Sequence, residues 1–255
     1  MRGVVGHDPL QPLPPRLDGM LTAPHAQVLC YHLVNAGIGG PVDLDRRTFE
    51  RHLDVLVERG QVRPLIDVVR SGQGIALTFD DAFLNFAEVV WPLLLARALP
   101  ATLFVPTGFV DGTRGSPLST APHLLPCSWA QLRGMSADGL GLGSHSRSHR
   151  NLRLLDDDAI DADVVAARDR IAEATGREAL GFCYPQAKWS PRIERVVRRH
   201  HDVIVTGGGT RVDARRPWRV PRVSVVRGGW PLPILLALPV VPGEWLADRV
   251  RQWRS

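Results

Sequence analysis

The sequence predicts an α/β fold, one domain built on a parallel sheet that is either open or closed into a barrel. Two observations carry this. From about Gln27 onward, short apolar runs of strand length alternate six or seven times with longer helical stretches; this is the pattern of βα units, in which helices cover parallel strands. No linker-like break, internal repeat or low-complexity segment interrupts the alternation. The chain has 255 residues, 44% hydrophobic and 22% charged. That is enough to bury a core without disulfide or metal staples.

Residues 1–25 carry Pro9, Pro12, Pro14, Pro15 and Pro24 and read as an extended arm; residues 26–255 read as the single domain. Val28–Tyr31 is an apolar run suited to a strand buried on both faces. Phe49, Leu53, Leu56 and Val57 form one helical stripe that stops at Gly60. Ile75–Phe79 is the next strand, Glu88–Ala98 a helix despite Pro92, and Ala101–Val105 a strand. Pro106–Pro126 is a Gly/Ser/Thr/Pro-rich loop of the kind that carries function on a rigid scaffold. Then follow strand Leu140–Gly143, helix Asp156–Ala174 closed by Gly176, and strand Gly181–Tyr184. Helix Pro191–Arg199, strands Val203–Val205 and Val220–Val226, and helix Glu244–Trp253 complete the series.

The net charge of +5 is nearly all arginine, since Lys188 is the only lysine. The arginines are scattered along helices rather than gathered on one element with aromatics, which argues against nucleic-acid binding. Three cysteines cannot all pair within the chain, and none lies in a C-x-x-C pattern, so a zinc ribbon and a redox motif are excluded. Met1–Met20 lacks the apolar core of a signal peptide, so the sequence predicts a cytoplasmic location. The apolar run Ile234–Val241 is broken by Pro239 and too short to span a bilayer. With Trp230 and Trp245, this tail leaves peripheral contact with a membrane surface open.

In this fold class functional groups gather at the C-terminal ends of the strands, and four of those ends are unusual. Ile75–Phe79 runs into Asp80-Asp81, Gly143 into Ser144-His145-Ser146-Arg147-Ser148-His149, Phe182-Cys183 into Tyr184-Pro185, and the first strand into His32. Each has an ordinary explanation. Adjacent aspartates cap helices, His-x-x-x-His arises often by chance, Tyr-Pro punctuates loops, and a lone histidine usually belongs to the core. Together they say more. One Asp and two His supply three ligands to a divalent ion and leave its fourth position open, as a catalytic centre requires. The second Asp is then placed to take a proton from water.

These residues resemble the NodB-type polysaccharide deacetylases, carbohydrate esterase family four. The likeness rests on Leu77-Thr78-Phe79-Asp80-Asp81, on Ser144 to His149, and on Phe182-Cys183-Tyr184-Pro185, in that order. The Tyr31-His32 opening and Arg219 to Val223 resemble one branch of the family, and the likeness extends from about Gln27 to Val226. It implies a distorted (β/α) barrel of about seven strands that removes N-acetyl groups from amino sugars. The substrate would be a polysaccharide, an oligosaccharide or a glycoconjugate precursor. Asp81, His145 and His149 would hold one divalent metal ion, zinc first, with cobalt, nickel or manganese as alternatives. Asp80 would be the general base, and the backbone N–H of Gln186 an oxyanion donor.

The sequence departs from the family at three places. Cys183 stands where many members have an arginine that holds the catalytic aspartate, and Arg222 is the candidate replacement. No histidine follows His201, so His32 is the candidate acid for the leaving amine. Gln186-Ala187 stands where Tyr-Gly is usual; Tyr184, Pro185, Trp129, Trp189 and Phe109 are candidates to line the sugar groove instead. These departures keep two alternatives open: a hydrolase of another carbon–nitrogen amide, and a glycan-binding pseudoenzyme.

Overall fold

The computed structural model describes residues 26–209, 211–229, 232 and 236. The proline-rich arm, helix Glu244–Trp253, Trp230, Trp245 and most of the Ile234–Val241 run lie outside the described residues. Seven parallel strands close into a barrel in the order β1 (Gln27–Tyr31), β4 (Ile75–Phe79), β5 (Ala101–Val105), β6 (Gly141–Ser144), β7 (Phe182–Cys183), β8 (Ile204–Gly207) and β9 (Val220–Ser224). The register runs Tyr31↔Phe79, Phe79↔Leu103, Val105↔Ser144, Ser144↔Phe182, Cys183↔Val205 and Gly207↔Arg222, and closes through Cys30↔Ser224. The expected strands are present: Ile75–Phe79 and Ala101–Val105 have the expected bounds, and the ends of the others shift by one or two residues. A small parallel pair, β2 (Leu33–Val34) and β3 (Asp43–Leu44), lies outside the barrel.

The helices are α1 (Arg46–Arg59), α2 (Leu65–Ser71), α3 (Trp91–Leu95), α4 (Thr107–Val110), α5 (Trp129–Ala137), α6 (Asp157–Thr175) and α7 (Pro191–Val197). The expected Glu88–Ala98 helix begins earlier, as a π turn over Phe86–Val90 in which the Trp91 N–H donates to the Phe86 carbonyl. This change of register directly precedes Pro92, which has no N–H to give to an α-helical ladder. Thus the helix passes through the proline. The 106–126 segment, expected as loop, contains α4. Among the described helices none is long and apolar enough to cross a membrane.

Side-chain alternation along the strands divides the core. Val28, Ala76, Phe104, Cys183, Val205 and Val220 share one apolar cluster with Leu65, Val68 and Val69 of α2. Their neighbours Leu29, Leu77, Phe79, Leu103, Val105 and Val223 belong to a second cluster with Phe49, Leu53 and Leu56 of α1. The first set fills the barrel and the second packs the helices onto it. In the outer set, Tyr31 stacks on Phe79 at 5.3 Å and meets Phe49 edge-on at 5.4 Å, contacts worth about 0.5–1.5 kcal/mol each beyond area burial. The inner set matters for function, because its parity continues past the strand ends into the site.

Candidate active site

Extending the inner parity by one step from each strand gives His32 after β1, Asp80 after β4 and His145 after β6; β8 and β9 supply Gly207, Arg222 and Ser224. All six line one cavity at the C-terminal end of the barrel, with Cys30, Asp81, His149, Gln186, Ala187, Val42 and Val226. Asp81 has the opposite parity and would face away from the barrel if the strand continued. It does not continue: Asp81 and Ala82 take left-handed backbone, at φ 77° and 50°. That turn brings both carboxylates of the pair to the cavity. Ser146, His149, Gln186 and Ala187 are also left-handed. Non-glycine residues in this region cost roughly 1–3 kcal/mol each and gather where function over-determines the backbone; six of the eight in the described chain are in these loops.

On one side of the cavity, Asp81 Oδ1 lies 3.2 Å from His149 Nε2 and 3.6 Å from His145 Nε2. The ligand atoms of the three residues all fall within 4.8 Å of one another. The His145 Nδ1–H donates to the Cys183 carbonyl at 2.8 Å. A carbonyl can only accept, so the lone pair of this imidazole is on Nε2, which faces Asp81; this is how metal-ligating histidines are commonly oriented. Burial pushes His145 down to about 4, keeping it neutral. Burial alone would raise the Asp81 carboxyl, but the imidazoles of His149, His32 and His145 override it and hold the group below its ordinary value. Asp81 Oδ1 is nevertheless buried with no partner in hydrogen-bonding geometry. A buried anion left this way costs free energy unless something satisfies it. A divalent cation meets that need, and one carboxylate with two imidazoles suits zinc and its neighbours in the transition series.

On the other side, Asp80 is fully engaged. Arg222 Nη1 and Nη2 donate to its two oxygens at 2.7 Å each. The same guanidinium reaches Thr78 Oγ1 at 3.2 Å and Cys183 Sγ at 2.9 Å. Thr78 Oγ1 in turn donates to the Leu29 carbonyl at 2.7 Å, tying the group to β1. Burial would raise the Asp80 carboxyl, but Arg222, aided by His145 and His32, holds it well below the usual carboxylate range. Cys30 and Cys183 flank Asp80 Oδ2 at 3.6 and 3.7 Å, and burial keeps both thiols protonated. His32 Nε2 lies 3.9 Å from the same oxygen, with 14% of its side chain exposed.

A family model described as polysaccharide deacetylase matches residues 67–202, more than half of the chain. The chain belongs to the polysaccharide deacetylase family. IcaB from Ammonifex degensii has the same fold, with a TM-score of 0.71 at 23% identity over 84% of this chain and 97% of that one. The Streptococcus pyogenes deacetylase PplD, solved in complex with acetate, gives 0.69 at 16% identity over 92% of this chain and all of that one. A protein of Geobacillus stearothermophilus, called an uncharacterized 30.6 kDa protein in the fumA 3' region, is 29% identical over 116 residues. That match spans 45% of this chain and 38% of the relative's length.

Within the family frame, the site brings together Asp80, Asp81, His145, His149, His32, Arg222 and Gln186. The expected groove residues lie elsewhere. Tyr184 is buried in the outer layer, edge-on to Phe182 and stacked on Trp189 at 6.4 Å. For Tyr184 the physical reason is parity: Cys183 faces the barrel interior, so Tyr184 faces out and stacks on Trp189 there, while Pro185 starts the turn that carries Gln186. Trp129 is half-buried, donates to Asp111 at 2.7 Å and lies under Arg170, while Phe109 packs on Phe83 at 5.6 Å. None of these five lines the cavity. Sequence reasoning missed Ser224, Gly207 and Val226, which alternation from Arg222 and Val205 would have found. Val42 arrives on an irregular loop and leaves no such signal.

Proposed function

We propose that the protein is a metal-dependent deacetylase that hydrolyses the N-acetyl amide of an amino sugar within a glycan or glycoconjugate. The observation that carries this reading is the convergence of Asp81, His145 and His149 around a buried carboxylate oxygen that no group meets in hydrogen-bonding geometry. A divalent ion held there would polarise the acyl oxygen and acidify water. The rest of the chemistry belongs to the chain. Arg222 keeps Asp80 ionised and fixed in one orientation, so Asp80 can accept a proton from the attacking water and steer it. His32, across the cavity mouth, protonates the leaving amine, a role matched to an imidazole near neutral pH. The turn at Gln186 presents its backbone N–H to the developing oxyanion.

The test is acetate release from N-acetylated oligosaccharides by protein stripped of metal and then supplied with zinc or cobalt. Acetate that appears only with metal, and is lost in Asp80→Asn, supports the reading. Tight metal binding with no acetate from any substrate would overturn it in favour of another amide or a binding protein.

A further inference from the structure

We propose that the sugar deacetylated here is carried on an anionic glycan, with phosphate or carboxylate groups near the N-acetyl sugar. This rests on the deacetylase reading above. The loops that leave β5, β6, β7 and β9 beside the cavity carry six cations, Arg114, Arg147, Arg150, Arg153, Lys188 and Arg227. The loop after β8 adds Arg211, together with Arg215 and Arg216, which pair with Asp213, and Arg219, which pairs with Glu194. Apart from Asp80 and Asp81 on the cavity floor, segments 32–42, 82–85, 106–118, 145–153, 184–190 and 225–229 contain one carboxylate, Asp111. It is already occupied, accepting from Trp129 Nε1 at 2.7 Å and Arg170 Nε at 3.0 Å.

None of the six lines the cavity itself, but their loops flank it on several sides. Gly108 is wedged between Arg114 and Arg147: its N–H donates to the Arg147 carbonyl at 2.9 Å, and a Cβ there would meet Arg114 Cγ at 2.9 Å. Arg153 donates to the Trp189 carbonyl at 2.7 and 3.1 Å, drawing the turn that carries Arg150 against the loop that carries Lys188. On another side, Arg227 follows Val226 of the cavity wall and donates to the Asp43 carbonyl at 2.8 Å. Among the described residues, the side chains of Arg114, Arg147, Arg150 and Lys188 have no ion-pair partner. Carboxylates also stand nearby: Asp163 accepts from the backbone N–H groups of Arg147 and Ser148 at 3.2 and 3.0 Å, Asp45 lines a second pocket with Arg227, and the carboxylates in a groove of about 390 Å³ beside Arg147 face other arginines. Asp169 pairs with Arg168, and Glu173 with Arg170.

Cations that outnumber the carboxylates around them build a positive potential over the cavity mouth, which concentrates anionic ligands there. Guanidinium groups bind phosphate and carboxylate oxygens with charge-assisted hydrogen bonds. The reaction sharpens the argument. Hydrolysis breaks the amide C–N bond; the acyl carbon takes the hydroxyl of water and leaves as acetate, and the nitrogen takes protons to become an ammonium. A neutral homopolymer of N-acetyl sugars therefore gains a positive charge at each turnover and is driven from a cationic rim. An anionic glycan keeps its attraction while losing the same acetyl group.

The experiment compares N-acetylchitotriose with its reducing-end 1-phosphate, using zinc-loaded full-length protein. At low ionic strength the phosphate should raise kcat/KM about tenfold, and the advantage should shrink to about twofold or less near 0.5 M salt. Arg150→Gln with Lys188→Gln should remove most of the advantage and leave hydrolysis of the neutral trisaccharide unchanged. Equal rates at low salt, or an advantage that survives the two substitutions, would overturn the proposal. So would phosphate-independent rates with binding to phosphatidylglycerol vesicles lost in the double variant, since the rim would then serve a membrane. Equilibrium binding of the two trisaccharides separates this inference from the reading beneath it. Tighter binding of the phosphate form without acetate from either would sink the deacetylase reading and keep the anionic rim.

Discussion

The two sides of the cavity meet at adjacent aspartates and are built on opposite principles. Asp80 is saturated: two charged hydrogen bonds from Arg222, two thiols and the imidazoles of His32 and His145 surround it. Asp81 is equally buried, yet one of its oxygens has no hydrogen-bond partner, and the loops that present it and its histidines are left-handed at Asp81, Ser146 and His149. The first side is complete from the protein alone. The second is held in place by the fold and leaves a buried carboxylate oxygen open to the ion proposed above. What each side does when perturbed should differ accordingly.

Removing Arg222 should have the largest effect. Arg222→Met leaves Asp80 as a buried, uncompensated carboxylate, a change that costs about 3–5 kcal/mol of stability. Turnover should fall by about 10- to 100-fold or more, as when the support of a catalytic group is lost. Metal affinity, read by calorimetry, should stay within a few-fold because the ligand side is untouched. Adding Asp80→Asn to Arg222→Met should recover stability and not turnover. Metal affinity that collapses in Arg222→Met would show the two sides to be one unit.

Metal itself should stabilise the second side only. At 100 times its dissociation constant, zinc should add about 2.7 kcal/mol to unfolding, by mass action on the folded state alone. The gain should vanish in His149→Ala and persist in Arg222→Met. A thermal midpoint indifferent to zinc, cobalt, nickel and manganese would remove the basis for the contrast.

Acid should weaken the fold at a point on neither side. His201 is buried beside Phe182, its Nε2 without a partner, and burial lowers it to about 4 from 6.5. Between these values the unfolded chain binds the proton that the folded chain refuses. Stability is therefore full above about pH 6.5 and is lost as pH falls toward 4, by at most about 1.4 kcal/mol per unit. His201→Leu should flatten that limb of a pH–stability curve measured by denaturant unfolding. An unchanged slope would assign the acid loss to other groups, His145 first.

How much of this was legible depends on which rule placed each residue. The alternation of strand and helix, the end of α1 at Gly60 and the clustering of Asp81, His145 and His149 were readable because their signals are local: a strand followed by Asp-Asp, and a His-x-x-x-His. The seven-strand closure entered through resemblance, since periodicity cannot tell an open sheet from a barrel. Helix α5 was missed although Ser128 and Gln131 form a reciprocal cap, a signal that can be read from S-x-x-Q. The groove candidates do not line the cavity: strand parity turns Tyr184 outward, and Trp129 and Phe109 pack on Arg170 and Phe83, contacts that no local pattern carries. Arg222 sits 142 residues from Asp80; the sequence offered it only through its place on a late strand, and closure of β9 onto β1 is what brings the two together.

The smallest effect tests whether the strained backbone of the cavity rim is fixed by packing. Ala187 is left-handed at φ 54°, and a Cβ added at Gly207 would meet the Cβ of Ala187 at 2.6 Å. Gly207→Ala should therefore cost about 1–3 kcal/mol by overpacking. Ala187→Gly should be nearly neutral or mildly stabilising: relief of the left-handed penalty, about 1 kcal/mol, is partly offset by a more flexible unfolded chain. Exchanging the two residues moves one methyl across the contact, so the double variant should recover most of the loss, with a coupling of about 0.5–3 kcal/mol. Both residues line the cavity, so the recovery should appear in turnover as well as in denaturant unfolding. Strictly additive losses would mean that the 185–187 turn shifts freely away from β8. Its left-handed backbone would then be a tolerated local choice, and the rim would lack the rigidity that placing an oxyanion donor at Gln186 requires.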